Sequence, residues 1–129
     1  MTLEGGCLCR GVSYVLDGSP RDVVNCHCER CRRFTGHFMA ATRLPVADLD
    51  LSDPDELMRW WWPVPEAGYA FCSRCGSSLF WRAADDPSYW SVCAGTLDPP
   101  TGLTTTLTVW ASQASDYHVR QEVRELETE

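Results

Sequence analysis

The sequence predicts a mostly β domain built from short antiparallel sheets and pinned by cysteine knuckles, on three observations. Short runs rich in Val, Tyr, Trp and Thr alternate with Gly- and Pro-bearing turns from residue 12 to residue 110, and hardly any stretch carries helical periodicity. Seven of the eight cysteines fall into three tight clusters, at 7 and 9, at 26, 28 and 31, and at 72 and 75, with Cys93 alone. A chain of 129 residues with 44% apolar and 22% charged residues has the make-up of a single globular unit, so residues 1–129 are read as one metal-binding domain.

The first six residues contain no positive segment followed by an apolar run, which argues against a signal peptide, and no 18-residue apolar span follows elsewhere. A cytoplasmic setting is therefore expected, where thiols stay reduced and serve as metal ligands rather than disulfides. Gly5-Gly6-Cys7-Leu8-Cys9, read as extended chain, puts both sulfurs on one strand face and turns Leu8 into the core. Val12 to Leu16 is a strand, closed by the turn Asp17-Gly18-Ser19-Pro20.

Val23-Val24-Asn25 is a short strand feeding Cys26-His27-Cys28-Glu29-Arg30-Cys31. In extended chain Cys26 and Cys28 project to one side and His27 to the other, and the Cys28-x-x-Cys31 spacing returns a third sulfur through a tight turn. Arg32 to Gly36 reads as one helical turn closed by Gly36, and His37 to Arg43 as the next strand.

Residues 45–54 alternate apolar and acidic side chains between prolines, the pattern of a turn into an exposed strand. Leu57 to Trp62 is extended, with Trp60 and Trp62 on one face and Trp61 on the other, and Pro63 and Pro65 end it. One tryptophan face needs cover from the core, a loop or a second subunit, so a homodimer is among the expected states; an aromatic wall for a ligand is the alternative. Phe71-Cys72-Ser73-Arg74-Cys75-Gly76 is a second knuckle, followed by strands at 77–83, 89–93 and 103–110. The polar tail from Val119 to Glu129 is expected as a short helix or frayed end with no assigned role.

Eighteen acidic residues oppose eleven basic ones for a formal charge of −7, and thiolate ligation of two zinc ions would lower this to about −10. Nucleic acid is excluded as a partner on that balance, since non-specific binding draws on phosphate neutralisation. Arg30, Arg32 and Arg33 form the one notable basic cluster, read as a solvated rim or as a site for a small anion.

Two cysteine pairs make a closed tetrahedral set, so the economical grouping is Cys7, Cys9, Cys72 and Cys75 on one zinc, with Cys26, Cys28 and Cys31 left as an incomplete set. Spacing alone leaves a rival open, in which Cys7 and Cys9 join Cys28 and Cys31. The fourth position of the three-cysteine set goes to Cys93, to a histidine such as His37, to water or to substrate. Cys93 would make two closed structural sites with no chemistry, whereas water or substrate would leave a Lewis acid with an open face. Cys93 reads by default as a small buried hydrophobe.

Gly6-Cys7-Leu8-Cys9, Cys26-His27-Cys28-Glu29-Arg30-Cys31-Arg32 with Gly36, Phe71-Cys72-Ser73-Arg74-Cys75-Gly76-Ser77 and Gly95-Thr96-Leu97-Asp98 together resemble the glutathione-dependent formaldehyde-activating enzyme family, which shares the Mss4-like fold with centromere protein V. The resemblance implies an Mss4-like β-tent around zinc, with a structural ion on Cys7, Cys9, Cys72 and Cys75 and a functional ion on Cys26, Cys28 and Cys31. It also implies carbon–sulfur lyase-type chemistry that joins the glutathione thiol to formaldehyde or cleaves the adduct, with Arg32 and Arg33 as candidates for the carboxylates of the thiol substrate. Where many members carry a His-Ile pair in the last strand, this chain has Thr108-Val109. The competing expectation is a non-catalytic zinc module that binds a protein through its tryptophan face.

Overall fold

The structure, a computed structural model, describes residues 2–129. Strands β1 (Leu3–Gly6), β2 (Ser13–Leu16) and β5 (Leu49–Ser52) form a three-stranded antiparallel sheet in the order β1-β2-β5. The larger sheet takes β3 (Val23–Cys26), β4 (Met39–Pro45), β6 (Met58–Val64), β7 (Ala67–Cys72), β8 (Ser78–Ala83), β9 (Tyr89–Cys93), β10 (Thr105–Val109) and β11 (Arg124–Leu126). Its strand order is β11-β10-β3-β4-β9-β8-β7-β6, antiparallel except that β10 runs parallel to both β3 and β11. A mostly β architecture of short strands and cysteine clusters is thus in place.

The eight-stranded sheet is covered differently on its two faces. Leu44, Val92, Phe80 and Ala70 from its middle strands pack with Leu3, Tyr14 and Leu16 from the smaller sheet and Val12 just before β2, giving the main core. Gly5 of β1 leaves no room for a side chain: a Cβ there would collide with the Thr96 carbonyl oxygen and lie 2.6 Å from the Tyr14 hydroxyl. Gly5→Ala is therefore expected to cost about 1–3 kcal/mol by overpacking, a melting temperature lower by roughly 3–12 °C. A thermal melt matching that of the parent protein would contradict this account of the contact.

On the opposite face the strand registers align two rows of side chains. Val109, Cys26 and Met39 are neighbours across β10, β3 and β4, and Arg43, Ser91, Trp81 and Tyr69 are neighbours across β4, β9, β8 and β7. Because side chains alternate along a strand, these residues all point away from the main core. All but Arg43 form the floor of the site described below.

Several sequence expectations change in detail. Cys7-Leu8-Cys9 lies in the turn between β1 and β2, not in a strand, and Leu8 is 87% exposed instead of packed in the core. The turn is fixed by Cys7 N–H to the Val12 carbonyl at 3.0 Å and Arg10 N–H to the Cys7 carbonyl at 3.1 Å. The helical turn expected at 32–36 starts earlier, as helix α1 (Glu29–Thr35). Glu29 in its first turn and Arg32 and Arg33 in its last suit the helix dipole, and Gly36 closes it at φ 84°. β6 runs through Pro63 with a register shift between Trp61 and Val64, which an edge strand tolerates because no ladder bond is required there. Trp60 and Trp62 stack on the same face, both near Arg82, while Trp61 is exposed on the other. The tail is neither helical nor frayed: residues 124–126 add β11 to the sheet.

Candidate metal centres

Two groups of cysteine sulfurs converge, with all ligand atoms within 4.8 Å of one another in each: Cys7, Cys9, Cys72 and Cys75, and separately Cys26, Cys28 and Cys31. In the first group the Cys7 and Cys9 sulfurs are 3.6 Å apart and those of Cys9 and Cys72 are 3.8 Å apart. Four thiolates at about 2.3 Å from a tetrahedral ion would be spaced about 3.8 Å apart, so this donor set fits such an ion as it stands. The β1–β2 turn supplies one pair and the β7–β8 knuckle the other, where Gly76 at φ 78° donates its N–H to the Cys72 carbonyl at 2.8 Å.

Hydrogen bonds prepare these sulfurs for an ion. The Val12 N–H donates to Cys7 Sγ at 3.3 Å, and the Ser77 hydroxyl lies 3.2 Å from Cys75 Sγ while accepting from the Leu8 N–H at 2.9 Å. The Ser77 hydrogen bond holds Cys75 down to about 5, whereas burial pushes Cys7 up to about 11. A metal must therefore displace a proton from Cys7 but meets Cys75 already ionised near neutral pH.

In the second group Cys26 ends β3, Cys28 is the N-cap of α1 and Cys31 lies in its first turn. The chain runs extended from Cys26 to Cys28, whose φ and ψ are −58° and 154°, and then coils, which brings the third sulfur back. The Cys31 N–H donates to Cys28 Sγ at 3.5 Å, and the Tyr69 hydroxyl from the sheet floor sits 3.4 Å from Cys31 Sγ. Hydrogen bonds from the Cys26 and then the Cys31 thiol, joined by that N–H, pull Cys28 down to about 2. The same bonds, and burial, push Cys26 well above the usual thiol range. Tyr69 is raised above the usual phenol range by burial and by the charge of Cys31, so it stays protonated and donates.

The three cysteines open into a cavity of about 250 Å³, small for a ligand cleft. From the same face of the sheet Val24, Met39, Ala41, Ser91, Trp81 and Tyr69 line it, and its charged groups are Arg21, Arg30 and Glu129. The sequence pointed to Arg32 and Arg33, and neither lines this cavity. Arg33 turns outward to pair with Glu29 at 2.9 Å, and the Arg32 Nε is buried without a hydrogen-bond partner. Arg30, on the same helix, faces inward. Tyr69, Trp81 and Arg21 had no motif to mark them; the period-two pattern of β7 and β8 puts Tyr69 and Trp81 on one face but does not say which face meets the cysteines.

Cys93 is buried on β9 opposite Ala41 and belongs to neither sulfur group, and burial pushes it up to about 12, the behaviour of an apolar side chain. The three histidines cluster away from the sulfurs. His27, 2% exposed, faces Phe38 and His118, and His37 packs against Phe38 and His118. Neither Cys93 nor a histidine therefore joins the three-cysteine set.

A family model described as glutathione-dependent formaldehyde-activating enzyme matches residues 2–113. Among solved structures, the chain is similar to the crystal structure of a Rhodobacter sphaeroides protein, with a TM-score of 0.62, 22% identity, and 80% of this chain and 99% of that chain covered. At that identity the likeness speaks to the fold. No curated protein sequence matches. Among the described residues no helix is long and apolar enough to cross a membrane.

Proposed function

Since the chain belongs to the glutathione-dependent formaldehyde-activating enzyme family, we propose that it is a zinc-dependent carbon–sulfur lyase-type enzyme acting on adducts of glutathione, or another small thiol, with formaldehyde or a related aldehyde. The observation that carries this reading is the contrast between the two sulfur groups. Four cysteines make a complete tetrahedral donor set, while the other three line a cavity and, among the described residues, no fourth sulfur or imidazole lies within 4.8 Å of all three sulfurs.

All-sulfur donor sets of this spacing favour zinc. Cys7, Cys9, Cys72 and Cys75 would hold a structural ion, and Cys26, Cys28 and Cys31 a functional one. Bound there, zinc would supply Lewis acidity, lowering the pKa of an added thiol or polarising a carbonyl oxygen.

The chain's own groups do the rest. In adduct formation the thiol sulfur bonds to the aldehyde carbon, the C=O π pair moves to oxygen, and the proton lost by the thiol ends on that oxygen; cleavage is the reverse. Tyr69, protonated and 3.4 Å from Cys31 Sγ, is the donor placed to hold the oxygen as its charge grows. Arg30 and Arg21 offset the negative charge of three thiolates and offer guanidinium groups to substrate carboxylates, the role the sequence gave to Arg32 and Arg33. Trp81, Met39 and Ala41 keep the floor apolar and limit water. The reading extends to one domain over residues 1–129 in a cytoplasmic setting, with nucleic acid disfavoured by the charge balance.

The test is turnover by the metal-loaded protein. Formation and breakdown of the glutathione–formaldehyde adduct are expected to exceed the spontaneous rates in proportion to zinc held at the three-cysteine site. Rates equal to the spontaneous ones at full zinc loading, with glutathione and with smaller thiols alike, would sink the proposal in favour of the non-catalytic module.

A further inference from the structure

The cavity over Cys26, Cys28 and Cys31 has a wall from outside the region matched to the family. That region ends at residue 113, yet Leu126 and Glu129 line the cavity. The segment carrying them is tied down at several points. β11 pairs in parallel with β10, setting Leu126 beside Val109 on the cavity face. The side chain of Asn25, 3% exposed, donates to Gln121 Oε1 at 2.8 Å, and the Ser112 N–H donates to Glu127 Oε2 at 3.0 Å.

The charges in the lining are Arg21, Arg30 and Glu129, and none is engaged in an ion pair within 4.0 Å among the described residues. Arg21 spends Nε on the Asp22 carbonyl at 3.2 Å and Nη2 on the Ala41 carbonyl at 3.1 Å, leaving other N–H groups free. Glu129 is exposed as a whole residue, but its carboxyl group is deep enough that burial, and then the charge of Cys28, raise its pKa, against the opposing pull of Arg21, Arg43 and Arg30. A cation and an anion that share a cavity without touching are complementary to a ligand that brings both signs.

We propose that Glu129 is a specificity-determining residue, accepting the ammonium group of an α-amino-acid head whose carboxylate goes to Arg21. Residues 114–129 thereby select zwitterionic thiols over purely anionic ones. This rests on the reading that a thiol binds at the three cysteines, and it goes beyond that reading by naming the group recognised at the far wall and the segment that recognises it.

The experiment titrates zinc-loaded full-length protein with glutathione and with N-acetylglutathione, which lacks the ammonium, following the fluorescence of Trp81 and Trp110 in the cavity lining. The parent protein is expected to bind glutathione roughly three- to tenfold more tightly than the acetylated form. Glu129→Gln is expected to bring that ratio to about one with zinc content and melting temperature unchanged. Leu126→Ala, which alters the same wall without its charge, is expected to weaken both thiols and keep their ratio. A ratio unaltered in Glu129→Gln, or parent-like binding of both thiols by Leu126→Ala, would overturn the inference while leaving the proposed function standing. Failure of the parent protein to bind either thiol would instead overturn the reading beneath it.

Discussion

Cys28→Ser is expected to abolish turnover while leaving the fold in place. Mutating mere supporting partners of metal ligands costs about 10–100-fold in affinity or activity, and Cys28 is itself one of only three sulfurs in its group, so a loss of at least about 100-fold is expected. The fold should survive because Cys28 has a second task that serine performs well. As the N-cap of α1 it accepts the Cys31 N–H, and serine is among the preferred residues at that position. Melting within a few degrees of the parent protein, together with turnover at the spontaneous rate, is the expected pair of results. Undiminished rates in the variant would remove the three-cysteine site from the mechanism.

Cys75→Ser is expected to do the opposite: to cost the fold itself. Cys7, Cys9, Cys72 and Cys75 join the turn after β1 to the knuckle after β7, segments about 65 residues apart in sequence. Structural zinc sites contribute about 10–16 kcal/mol, comparable with the ~5–15 kcal/mol net stability of a domain. Serine at 75 removes a ligand that is ionised near neutral pH, so the variant is expected to lose the metal, melt far below Cys28→Ser and precipitate on expression. Similar melting temperatures for the two variants would contradict the division into a structural and a functional site.

How much of this was legible in the sequence follows from the physics of each element. Cysteine spacing is local chemistry, and pairs two or three residues apart already limit which sulfurs can share an ion; the structure then sets 7 and 9 beside 72 and 75. Strands such as β2, β8 and β9 carry their own β-branched and aromatic residues and lie within a residue or two of their expected bounds. Leu8 was misread because alternation was assumed where Gly5-Gly6 lead into a turn, and in a turn the side-chain direction is set by the Cys7–Val12 bonds, not by period two. Arg32 and Arg33 drew attention as a pair, but adjacent residues on a helix point about 100° apart, and of the three arginines on α1 only Arg30 lines the cavity while Arg33 turns to Glu29. The tail was unreadable for a different reason: β11 is three residues, Arg124, Glu125 and Leu126, whose strand character comes from a partner, β10, not from their own propensity.

Anomalous diffraction at the zinc edge from crystals of the purified protein tests the central claim most directly. The account predicts two peaks, one surrounded by the sulfurs of Cys7, Cys9, Cys72 and Cys75, the other by those of Cys26, Cys28 and Cys31 with a fourth ligand that is solvent or a bound small molecule. A second peak closed by a protein side chain such as Cys93, or no peak at all beside Cys26, Cys28 and Cys31, would contradict it.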